Sequence, residues 1–214
     1  MRFETQFGID TGGIDYDLAG LGGAGENLVH ANAYEPIQHR VFGAIVKAAN
    51  IHTAGFTFVD YGSGKGRAML LAAEFRFGKV IGIEFASALH AAASDNIAAY
   101  RKKRPHAQIE NVLQDAATFN IPKEKTFLYF YNPFGPQVLD KVAALIERHV
   151  SDHALDTFIA YRNPVHAAVF DQLDCMETVV RNQSFVLYRI SQREPGRSRA
   201  SRTAPLTASV AALI

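Results

Sequence analysis

Three glycines at alternate positions, Gly62, Gly64 and Gly66, follow an apolar run that ends in Asp60. No other part of the sequence constrains the fold as tightly. Phe56-Thr57-Phe58-Val59-Asp60 has the composition of a buried strand, and the Ala68-to-Ala73 stretch beyond the glycines has that of a helix. Glycine at the junction permits a tight turn with positive φ and lets the backbone come close to a ligand. The free N–H groups at the start of the following helix face the same crevice. Lys79-Val80-Ile81-Gly82-Ile83-Glu84 reads as a second strand and ends in an acid, roughly 20 residues beyond the glycines. An acidic side chain there can accept hydrogen bonds from both hydroxyls of a ribose.

Strands and helices continue to alternate along the chain. Pro36 opens a helical pattern carried by Ile37, Val41, Phe42, Ile45 and Val46, which ends near Asn50. An alanine-rich helix is expected over 86–100, strands over 109–113 and 126–131, a helix over 138–150, a strand over 156–161 and a helix over 164–173. Runs 177–181 and 185–190, split by Asn182-Gln183, suggest a hairpin. The expected fold is α/β: a doubly wound, mostly parallel, seven-stranded sheet covered on both faces, closed by a C-terminal antiparallel hairpin. This domain spans 34–191. Residues 1–33 carry seven glycines without sustained apolar periodicity and form an irregular segment, a mobile lid or a poorly ordered terminus. Residues 192–214, with Arg193, Arg197, Arg199 and Arg202 among Ser, Pro and Gly, read as a disordered tail.

Composition excludes several classes. The net charge of +1, from 22 basic and 21 acidic residues, gives no bulk attraction to nucleic acid or anionic membrane. A single cysteine, Cys175, rules out an internal disulfide, argues against a Cys-based zinc site and reads as a core thiol. His149 and His153 have helical ligand spacing but no evident third ligand, so no metal is expected. Arg101-Lys102-Lys103-Arg104 reads as a solvated helix end. No apolar run is long enough to span a bilayer, and Met1 to Asp10 lacks the apolar core of a signal peptide, so a cytoplasmic protein is expected.

Two cofactor classes suit the strand–glycine–helix–strand–acid frame. Dinucleotides go with G-x-G-x-x-G, whose last glycine packs helix against strand. Here Arg67 and Ala68 follow G-x-G-x-G. Asp60-Tyr61-Gly62-Ser63-Gly64-Lys65-Gly66 resembles the first signature of class I S-adenosylmethionine (SAM) dependent methyltransferases, Asp-x-Gly-x-Gly-x-Gly, and the resemblance extends over 34–190. It implies a Rossmann-like fold with SAM as cofactor and S-adenosylhomocysteine as product. Asp60 and Gly62 would lie near the methionine moiety, Ser63, Gly64 and Gly66 along the loop, and Glu84 on the ribose. Asp115, in Gln114-Asp115-Ala116 past the third strand, would meet the adenine amino group, or else cap a helix. Tyr34, in Tyr34-Glu35-Pro36, would touch the cofactor from an N-terminal segment, or else mark a helix entry. Arg67 would face substrate or solvent.

Asn132-Pro133-Phe134-Gly135 ends the fourth strand, where this fold places its chemistry. It resembles the Asn-Pro-Pro-aromatic motif of amino-methylating nucleic-acid enzymes without the second proline. It is also similar to the Asn-Phe element of seven-stranded (non-SET) histone lysine methyltransferases, with Pro133 intervening. The Asn132 oxygen can accept an acceptor N–H and stabilise the charge that develops on nitrogen. Phe134 can stack on a flat base or line an alkylammonium channel. A plain turn and a core aromatic are the simpler readings of Asn132-Pro133 and Phe134. The expected reaction is N-methylation of an amine, with a protein lysine ahead of a small molecule and both ahead of a nucleic-acid base. The acceptor and the oligomeric state stay open. The alternatives are an NAD-dependent oxidoreductase and a non-catalytic SAM-fold binding module.

Overall fold

Apolar side chains on both faces of a strand must be covered on both sides. Residues 3–13, 35–153 and 155–190 are described in a computed structural model of the protein. Every residue of β1 (Thr57–Tyr61) is buried, and β2 (Lys79–Glu84) and β4 (Thr126–Tyr131) are nearly so. With β3 (Ile109–Leu113), β5 (Thr157–Arg162), β6 (Met176–Arg181) and β7 (Phe185–Ile190) they form a seven-stranded sheet of order β3-β2-β1-β4-β5-β7-β6. The first five are parallel, and β7 runs antiparallel to both β5 and β6. The expected α/β architecture and its closing hairpin are both present, with β6 at the edge and β7 one position inside it.

Helices α2 (His39–Ala49), α3 (Arg67–Glu74) and α4 (Ser87–Arg101) cover one face, with Phe42, Leu70 and Ile97 packed against Phe58, Phe127 and Tyr129. Helices α5 (Pro136–Asp152) and α6 (Ala168–Asp171) cover the other, with Val142, Ile146 and Phe170 against Val59, Phe130 and Val186. Strand order reverses between β1 and β4, so a crevice opens at their carboxyl ends, the usual ligand position in such sheets. Asp60 pairs with Gly82 on one side and Tyr129 on the other. The glycine in β2 lets α3 and the loop before it close on the sheet. A Cβ at Gly82 would lie 2.2 Å from Met69 Sδ and 2.9 Å from Ser63 Cβ.

Two expectations change. The helix foreseen over 164–173 is reduced to α6, because Asn163 takes a left-handed φ of 49° and turns occupy 165–167 before the helix begins. The first residues, expected to be irregular, contain a helical turn, α1 (Phe3–Phe7), and the segment buries Phe7, Ile9 and Thr11. Phe3 and Phe7 lie four apart, so their rings meet at 5.3 Å, and Phe7 continues onto Tyr100 at 4.7 Å. Residues 14–33, Tyr34 and the arginine-bearing tail 192–214 lie outside the described residues. Among the described residues, no helix is long and apolar enough to cross a membrane.

Candidate functional site

The glycine loop is fastened to the end of β2. Gly62 N and Ser63 N both donate to Ile83 O, at 2.9 and 3.0 Å, and Gly66 N closes a turn onto Ser63 O at 2.9 Å. Gly62, Gly64 and Gly66 all have positive φ, at 78°, 54° and 84°. Glu84 completes the fastening. One carboxylate oxygen accepts Gly64 N at 2.8 Å and the other accepts Ala86 N at 2.9 Å.

Asp60 and Glu84 are 3% and 4% exposed. Burial pushes Asp60 well above the usual carboxylate range, and the charge of Glu84 adds to this. Burial also raises Glu84, against the N–H groups of Ala86, Gly64 and Phe85 and the nearby His90, which favour its charged form. Two buried carboxyls that resist ionisation together make a site suited to a cation.

Both line one pocket. Gly62, Ser63 and Gly64 form its floor, and Phe85 and Leu89 lie beyond β2. Tyr129, Tyr131, Pro133 and Phe134 come from the end of β4, while Glu35, Pro36, Ile37 and Arg67 close the remaining side. Ser63 Oγ and the Tyr129 hydroxyl are buried without a hydrogen-bond partner among the described residues. Leaving such groups unpaired costs about 1–3 kcal/mol each, so a polar occupant that meets them is favoured.

The two sequence motifs touch. A Cβ on Gly62 would come within 2.6 Å of Pro133 Cβ. Phe134 lines the pocket and also belongs to the core beneath it. Asn132 sits at a left-handed φ of 41°, and its Oδ1 accepts the Tyr161 hydroxyl at 3.1 Å. It is adjacent to the pocket lining rather than part of it. Asp115 caps a one-turn 3-10 helix (Ala116–Thr118) by accepting Ala117 N at 2.8 Å, and it too lies outside the lining. Tyr34 is not among the described residues.

Tyr129 and Tyr131 escaped the sequence reading, which took 126–131 only as an apolar strand. Their signal was the period of two: alternate residues share a face, and Tyr129 stands opposite Asp60. Burial and a hydrogen bond to Glu35 push Tyr131 up to about 12, so its hydroxyl stays neutral. The Arg162 guanidinium lies 5.2 Å from the centre of its ring. Arg67 faces inward, bonded to Ile37 O and Thr11 Oγ1 and paired with Glu4. His149 and His153 meet ring to ring at 5.1 Å near the end of α5. Among the described residues, no three side chains of metal-binding type converge.

No protein-family model and no curated protein matches this chain. Solved structures do. An RNA methyltransferase of Salinibacter ruber, in complex with S-adenosylhomocysteine, aligns over 76% of this chain and 97% of its own at 19% identity and a TM-score of 0.50. YhhF of Escherichia coli, provisionally described as a methyltransferase, aligns over 74% and 89% at 18% identity and 0.55. A possible methylase of Clostridium difficile 630 aligns over 76% and 55% at 14% identity and 0.53. The chain has the class I SAM-dependent methyltransferase fold. Its antiparallel β7, placed between β5 and β6, departs from the parallel 3-2-1-4-5-6 order of dinucleotide-binding sheets and argues against the oxidoreductase alternative.

Proposed function

We propose that the protein transfers a methyl group from SAM to an amine nitrogen, leaving S-adenosylhomocysteine. The observation that carries this reading is the pocket that joins two buried carboxyls, Asp60 and Glu84, to the unpartnered hydroxyls of Ser63 and Tyr129. SAM supplies an electrophilic methyl on a sulfonium, and it also brings an ammonium, a carboxylate and a ribose diol. Those groups match the donors and acceptors present.

Each residue then has a task. Asp60 faces the ammonium. Glu84 keeps its two backbone bonds and retains lone pairs for the ribose hydroxyls. Ser63 and Tyr129 donate to the carboxylate end. Gly62, Gly64 and Gly66 keep side chains out of the way where the backbone approaches the ligand. Asp115, just past β3, is assigned to the adenine side. Asn132, whose Oδ1 accepts the Tyr161 hydroxyl, orients the acceptor nitrogen for attack. Pro133 and Phe134 wall the approach, and Glu35 with Tyr131 gives it an acidic, aromatic rim that suits an alkylammonium before it loses its proton. A protein lysine is the first acceptor class, and a small amine the second.

Methyl transfer from radiolabelled SAM to a lysine-rich peptide, a panel of small amines and an unstructured RNA tests this reading. Transfer to an amine is expected, and Asn132→Ala should lower kcat by about a hundredfold with SAM affinity retained. Transfer to RNA alone, or unchanged turnover in Asn132→Ala, would contradict it.

A further inference from the structure

A buried carboxamide on α4 joins the chain's first residues to the glycine loop. Asn96 is 5% exposed. Its Oδ1 accepts Asp10 N at 2.8 Å, and its Nδ2 donates to Asp10 O at 2.8 Å and to Lys65 O at 3.0 Å. Lys65 stands between Gly64 and Gly66 and returns a bond from its ammonium to Gly12 O at 3.2 Å. Arg67, the next residue but one, pairs with Glu4 and donates to Thr11 Oγ1 at 2.9 Å. Its Nε reaches Ile37 O at the pocket lip.

Phe7 and Ile9 are buried in the apolar core that also holds Tyr100. The contacts of Glu4, Thr11 and Gly12 reach Arg67 and Lys65, which bracket Gly66 in the loop that lines the pocket. A loop with three positive-φ glycines loses much conformational freedom when it is ordered. Restraining it before a ligand arrives lowers the cost of binding.

We propose that residues 3–13 are a working part of the cofactor site. Asn96 is the positioning residue that couples the segment to the glycine loop and holds that loop in its ligand-ready form. The proposal rests on the reading of the pocket as a SAM site. Coupling is reciprocal: what the segment does for the ligand, the ligand does for the segment.

Amide hydrogen exchange and calorimetry on the full chain test it, using S-adenosylhomocysteine as the probe and Asn96→Ala and Thr11→Val as variants. In wild type, the ligand should slow exchange at residues 3–13 as well as in the loop. In Asn96→Ala without ligand, amides of 62–66 should exchange faster, and the Kd should rise about tenfold. Thr11→Val, which removes the segment's contact with Arg67 and leaves the Asn96–Lys65 contact in place, should shift the Kd in the same direction. A merely structural Asn96 would lower Tm and leave loop exchange and Kd unchanged, and that result overturns the proposal. Binding with the wild-type Kd in both variants overturns it alone, whereas failure of wild type to bind overturns the cofactor reading with it.

Discussion

Asp60 and Glu84 are buried carboxyls that line one pocket. Their ordinary pKa values are 3.8 and 4.5, and burial raises both. The folded state therefore holds these protons more tightly than the unfolded chain does. Between the ordinary and the raised values the folded state binds more protons, so stability falls as pH rises through that window. Asp60→Asn removes the charge that must be desolvated. The ligand-free variant should melt a few degrees higher than wild type at neutral pH, with the gap closing in acid, when Tm is followed against pH. The same variant should bind SAM more weakly. A wild-type Tm that climbs relative to Asp60→Asn on going from acid to neutral would contradict the assignment. Two glycines separate backbone from packing effects. Gly62→Ala meets a φ of 78° and Pro133 at 2.6 Å, so about 1–3 kcal/mol of backbone strain adds to a clash. Gly82→Ala, whose obstacles are the Met69 side chain and Ser63 Cβ, should cost about 1–3 kcal/mol by overpacking alone. Urea denaturation of both variants checks the order, with Gly62→Ala the more damaging.

The end of β4 shows why element-level reading reaches part of a site and no further. The Asn132-Pro133-Phe134 turn was legible because an Asn-Pro step ends an apolar strand, at the carboxyl end where open α/β sheets bind ligands. Its aim was not legible. Tyr161 lies on a different strand, and only register brings its hydroxyl to Asn132 at 3.1 Å. Tyr161→Phe removes this one bond to Asn132 and should lower kcat several-fold with the SAM Kd unchanged in calorimetry. A change in Kd alone would place Asn132 on the cofactor instead. Asp115 shows the converse. Its position past β3 was read correctly, but capping by a side chain and reach toward a ligand depend on local φ and ψ that the sequence leaves open. The α6 region was overextended for a similar reason: apolar spacing over 164–173 suits a helix, yet Asn163 and the turn that follows use up its first half.

At the scale of the molecule, alternating strands and helices fixed the architecture, since strands buried on both faces leave few ways to build a sheet. The 177–190 hairpin was visible too, but the insertion of β7 between β5 and β6 is a long-range pairing that no local pattern encodes. Leu187, fully buried on β7, packs in the same core as Phe58 and Phe127. Leu187→Ala should cost about 2–5 kcal/mol in urea denaturation, as for a central core residue rather than an edge one. The first residues were the least legible part, because their partners, Asn96 and Arg67, lie far along the chain. The central claim, that this sheet carries a SAM site built on the glycine loop and Glu84, is tested most directly by calorimetric titration with SAM, S-adenosylhomocysteine and NAD, on wild type and Glu84→Gln. Clear binding of both adenosyl ligands, none of NAD, and a loss of about ten- to a hundredfold in Glu84→Gln are expected, the worth of a charged hydrogen-bond acceptor. Absence of adenosyl binding, or an affinity indifferent to Glu84→Gln, would contradict it.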